Sequence, residues 1–131
     1  MAARRVAVTG TGVISALGTC DAAHMSRPER DGQVRAMREA LSEAQLSPAG
    51  VGYINAHGTA TNVGDVVEAQ AINALFGAAA RDVRVSSTKS LHGHLLGGAG
   101  ALEFAAAPPR AVMSNSFAFG GSNVVLIAER A

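Results

Sequence analysis

The chain has 131 residues, inside the ~100–200 residues of one domain, and its 48% hydrophobic and 16% charged residues exclude a disordered chain that cannot bury a core. A net charge of +1, from 11 basic and 10 acidic residues, provides no field to gather nucleic-acid phosphate or an anionic membrane surface, so neither is an expected partner. The single cysteine, Cys20, can form no internal disulfide and no multi-cysteine zinc site, which points to a reducing, cytoplasmic compartment.

Met1–Gly18 has the outline of a secretory signal, but Thr9, Gly10, Thr11 and Gly12 interrupt its apolar stretch and no cleavage site follows. Arg5–Thr9, with Val6 and Val8, reads as a strand that Gly10-Thr-Gly12 turns. Thr19–Gly32 is polar and carries turn chemistry in Arg27-Pro28-Glu29-Arg30-Asp31-Gly32, so it is read as a loop. From Val34 the apolar positions Val34, Met37, Leu41 and Ala44 recur at helical spacing until Ser47-Pro48 breaks them. Val51–Asn55 is a short strand ending at Ala56-His57-Gly58. Asp65 and Glu68 resemble a capping box that opens helix Asp65–Phe76, with Val66, Ala69, Ile72, Leu75 and Phe76 as its buried stripe and Gly77 as its stop. Val83–Ser87 is a further strand, and Leu95–Ala107 a small-residue helix too short and too glycine-rich to span a bilayer. Pro108-Pro109 ends it, and Val112–Phe117 and Asn123–Ala128 read as a hairpin around Gly120-Gly121. The order βαβαβαββ implies an α/β fold, a mixed sheet covered by helices.

Lys89 is the only lysine against ten arginines. It follows a strand, where a compact ammonium fits a confined site that a guanidinium does not, although an ordinary surface lysine has the same signature. His57 stands at a strand end, where binding residues of α/β sheets gather. His94 is placed at a helix start, where free N–H groups favour negative charge. Two such histidines suit an oxyanion, while either alone reads equally well as a loop histidine satisfied by backbone. His92, His94, His57 and Glu103 lack recognised zinc spacing, so no metal is expected. Gly10-Thr-Gly12 imitates a dinucleotide fingerprint but has Ser15 at its third small position, and no P-loop occurs.

Five ordered motifs carry a resemblance: Val6-Ala-Val-Thr-Gly-Thr-Gly-Val-Ile-Ser-Ala-Leu-Gly18, Asn55-Ala-His-Gly-Thr-Ala-Thr61, Ser86-Ser-Thr-Lys-Ser90, Gly93-His-Leu-Leu-Gly-Gly-Ala-Gly100 and Asn115-Ser-Phe-Ala-Phe-Gly-Gly-Ser-Asn123. Together they resemble the β-ketoacyl-acyl-carrier-protein synthases, which have the thiolase-like fold. Those enzymes extend fatty acyl or polyketide chains by decarboxylative condensation with malonyl held on acyl carrier protein. The resemblance implies that His57 and His94 are the catalytic histidines, that Lys89 is the motif lysine, and that Glu103 is its acidic neighbour. It also implies that Thr59 and Thr61 hold the pantetheine arm and that Phe119 is the gating phenylalanine whose N–H helps form the oxyanion hole. No cofactor is implied beyond the phosphopantetheine arm of the carrier.

The family's nucleophile lies in a Thr-Ala-Cys-like motif that this sequence lacks, and Cys20 is not in such a setting. The expectation is therefore a truncated synthase: 1–19 as a remnant of the N-terminal domain and 20–131 as the C-terminal domain, mostly the C-terminal half of the fold. Acyl carrier protein is the expected partner, with a second copy or a partner synthase chain beside it. The alternative is a non-catalytic module that binds pantetheine or pairs with a partner chain. A half-fold of this kind is expected to expose apolar surface.

Overall fold

Two glycines in a β-branched run do not turn this chain. In the computed structural model, which describes residues 6–14, 26–106 and 111–130, β1 (Val6–Ile14) passes straight through Gly10-Thr-Gly12. The conformational freedom of that run is taken up as an irregularity between Val8, which pairs with Ala128, and Gly10, which pairs with Ile127. Eight partner pairs with a neighbouring strand outweigh the local turn preference of the glycines. Thr19–Met25, with Cys20, and Pro108-Pro109 lie outside the described residues.

α1 (Arg30–Glu43) begins four residues before the expected Val34, inside the stretch read as a loop. Pro28 just ahead and Asp31 in the first turn are helix-start signals that the turn reading underweighted. Val34, Met37 and Leu41 are buried as expected, joined by Ala36 and Ala40. β2 (Tyr53–Asn55) and α2 (Gly64–Phe76) follow, and Gly77 closes α2 with φ +52°.

The capping box is not formed: Asp65 lies inside α2, whose N-cap residue, Val63, makes no side-chain bond. Its inward row is Glu68, Ala71, Ile72 and Phe76, whereas Val66 is 54% exposed and Ala69 faces solvent. The stripe is rotated because Glu68 reaches inward instead of back to the helix start.

β3 (Arg84–Ser86), a four-residue α3 (Lys89–His92) and α4 (Ala99–Ala106) lead to β4 (Val112–Ala118) and β5 (Ser122–Arg130). The β4–β5 hairpin turns at Gly120 and Gly121, both at positive φ, as expected for that dipeptide.

The sheet runs β1-β5-β4-β2-β3. β5 is antiparallel to both β1 and β4, while β2 is parallel to β4 and β3, the pairing that helical crossovers allow. α1 and α2 cover one face, where Met37, Leu41, Ile72 and Phe76 meet Ile54, Met113, Val125 and Ile127. Alternation along β4 sends Asn115 to that face, beside Met37. Ser114 faces the other side, where α4 lies.

Candidate functional site

The loops that leave β2 and β3 converge at one end of the sheet, and each carries one of the two histidines. His57 follows β2 directly. Its backbone N–H and that of Gly58 both donate to the Glu68 carboxylate, at 2.9 Å each, and Asn115 Nδ2 donates to the same group at 3.1 Å. A 4% exposed carboxylate with three N–H donors is satisfied as an acceptor, and it fixes the backbone that presents His57. Gly58 has φ +40°, and a Cβ there would lie 2.6 Å from Ser87 Cβ, so only glycine fits. Ser87 Oγ donates to the Gly58 carbonyl at 3.1 Å and accepts from Lys89 N at 3.4 Å. Through that hydroxyl the β2 loop is tied to the start of α3.

On the opposite face Lys89 and Glu103 form a buried ion pair, and Asn55 Nδ2 donates to the second Glu103 oxygen at 3.0 Å. The sheet thus holds a carboxylate on each face, each bonded to an asparagine of a central strand: Glu68 to Asn115 of β4, and Glu103 to Asn55 of β2. A buried lysine is tolerable only with such a partner. Its fixed positive charge lies near enough to His57 to act on that ring.

The rings of His57 and His94 meet edge to face, with centroids 5.5 Å apart and planes at 82°. Phe117 also packs against His57, with ring centroids 6.0 Å apart. Burial, the Lys89 charge and His94 together pull the pKa of His57 down to about 4, so the ring is neutral at pH 7. The backbone N–H of Leu96 donates to His94 Nδ1 at 3.2 Å. The His94 proton therefore sits on Nε2, free to donate. His94 does not open an α-helix as expected; it stands in the link between α3 and a 3-10 turn at Leu96–Gly98.

Thr59 and Thr61 face each other through their hydroxyls at 3.3 Å, and Thr61 Oγ1 also accepts from Gly64 N at 3.2 Å. Phe119 is at the hairpin tip, 80% exposed. The structure thus brings His57 to His94, Lys89 to Glu103 and Thr59 to Thr61.

Sequence reasoning missed Glu68, Asn55, Asn115 and Phe117. Two signals were present. Glu68 shares the helical row of Ile72 and Phe76, and Asn115 falls between Met113 and Phe117 in the alternation of a buried strand. A polar residue in an inward row needs a buried partner, and here each has one.

The chain was compared with known families, curated sequences and solved structures. The model described as "Beta-ketoacyl synthase, C-terminal domain" matches residues 11–108. The 3-oxoacyl-[acyl-carrier-protein] synthase 2 of Coxiella burnetii is 40% identical over 146 residues, covering 84% of this chain but 35% of its own length. A ketosynthase from Xenorhabdus doucetiae, solved in complex with its chain length factor, superposes with a TM-score of 0.84 at 36% identity, over 99% of this chain and 40% of that one. A ketosynthase solved with its type II PKS acyl-carrier protein superposes at 0.82 with 25% identity, over 95% of this chain and 38% of that one. All of these superpositions are on thiolase-like ketosynthases, and the chain spans little more than a third of their length.

Proposed function

Because this chain belongs to the β-ketoacyl synthase family, we propose that His57 and His94 stabilise the enolate formed when a malonyl thioester on acyl carrier protein loses CO2. In that step the bond between the malonyl carboxylate and its methylene carbon breaks, and the electron pair moves onto the thioester oxygen. Two imidazole donors aimed at this oxygen act only on charge that develops along the reaction path. The observation that carries the reading is the edge-to-face histidine pair, with His57 neutral and the His94 proton on Nε2.

Burial first, and then the charge of Lys89 paired with Glu103, keep His57 neutral, so Lys89 does not need to touch substrate. Thr59 and Thr61, on the loop after His57, hold the pantetheine arm. Phe119 at the exposed hairpin tip gates its entrance, with its N–H as a further oxyanion donor. Acyl carrier protein is the partner, as in a solved relative, and a second synthase-type chain is another, as the chain length factor is in one more. Condensation also needs a nucleophile that carries the growing chain. No Thr-Ala-Cys-like motif occurs in these 131 residues, and Cys20 is the only cysteine. Decarboxylation is therefore the part of the reaction assigned to this chain, within an internally shortened synthase of fatty acid or polyketide synthesis.

The test is release of labelled CO2 from malonyl carrier protein. Loss of one oxyanion donor costs about 3–4 kcal/mol, a hundred- to thousand-fold in rate, so His57→Ala and His94→Ala should each remove the signal. Cys20→Ala should leave it unchanged. Carrier binding with no CO2 released by any form would instead identify a pantetheine-binding module.

A further inference from the structure

His92 spans α3 from one end to the other. Its Nδ1 lies 2.8 Å from the carbonyl oxygen of Gly93, and its Nε2 lies 2.9 Å from Thr88 Oγ1, four residues back. A carbonyl oxygen only accepts, so Nδ1 carries the proton and Nε2 accepts from the Thr88 hydroxyl. Gly93, at φ +76°, makes the reversal that leads into His94, and its N–H also closes on the Lys89 carbonyl at 2.8 Å.

The turn between Lys89 and His94 is therefore held from inside by the backbone and from outside by one imidazole. Lys89 is anchored to Glu103, and His94 stands against His57. We propose that His92 is a positioning residue that clamps this turn and holds His94 at the angle with which it faces His57. The inference rests on the reading of His57 and His94 as the reacting pair. The clamp itself can be observed without any reaction.

The full chain, labelled with 15N, should show by long-range proton–nitrogen correlation at pH 7.5 a His92 proton on Nδ1 and a His94 proton on Nε2. In His92→Phe the amide resonances of β2 and β5 should stay in place, while the His57–His94 ring contact weakens. CO2 release from malonyl carrier protein should fall about tenfold in kcat with KM unchanged, the signature of a misaimed group rather than lost binding. If His92→Phe does not fold, Thr88→Val, which removes only the hydroxyl, should loosen His94 in the same way. A His92 proton on Nε2 in the parent chain, or an unchanged His57–His94 ring contact in either folded variant, would overturn the clamp. A parent chain that shows the expected ring pattern yet releases no CO2 would sink the enolate reading and leave the clamp standing.

Discussion

A half-buried imidazole near a lysine resists protonation, and for His57 this fixes how stability responds to pH. Unfolded, the ring takes a proton near 6.5; folded, it does so only near 4. Between those values the unfolded chain binds more protons, so the contribution is fully present above 6.5 and is lost as pH falls toward 4. The urea midpoint should therefore drop between pH 7.5 and 4.5. The share due to His57 is about 1–2 kcal/mol, less than full linkage because solvent screens a half-buried ring. His57→Asn should flatten that part of the curve, and an unchanged slope in the variant would count against the assignment. That His57 would meet His94 and Lys89 would meet Glu103 followed from the motifs that carry the family resemblance. Glu68 and Asn115 showed in the sequence only as polar residues in inward rows, and what they bond was hidden, because each is the other's partner 47 residues away in the chain.

At the scale of elements, the helices and strands follow from periodicity, while their edges and rotations follow from contacts that periodicity does not contain. α1 and α2 were legible as elements. The rotation of α2 was hidden because its carboxylate serves the β2 loop rather than its own N-terminus. β1 continues where local preference says turn, because β5 supplies a partner along its whole length. The joint between the β2 and β3 loops admits a direct test in Gly58→Ala. The added methyl meets Ser87 at a distance real side chains do not occupy, in a left-handed backbone conformation. The expected loss is about 2–4 kcal/mol, read as a shift in the denaturant midpoint. Adding Ser87→Gly should recover the steric part alone, leaving the backbone strain.

Across the whole molecule, the element order and the β4–β5 hairpin were legible, but the other strand neighbours were not, since β1 finds its partner at the other end of the sequence. Several large apolar side chains stay uncovered among the described residues: Leu91 is 85% and Leu96 77% exposed, with Val63, Val66, Val85, Leu95, Leu102 and Phe119 also open to solvent. Apolar surface of this kind drives association. The purified chain should show a mass in light scattering that rises with concentration, and Leu91→Glu with Leu96→Glu should bring it to that of a monomer. A parent chain that stays monomeric at all concentrations would contradict this. The place of β5 between β1 and β4 also sets an order of assembly. During synthesis β1 is made before β5, the one strand of the described sheet that it pairs with. The nascent chain therefore carries β1 without that partner while every residue between the two strands is made, a period in which chaperone capture and misassembly compete with folding.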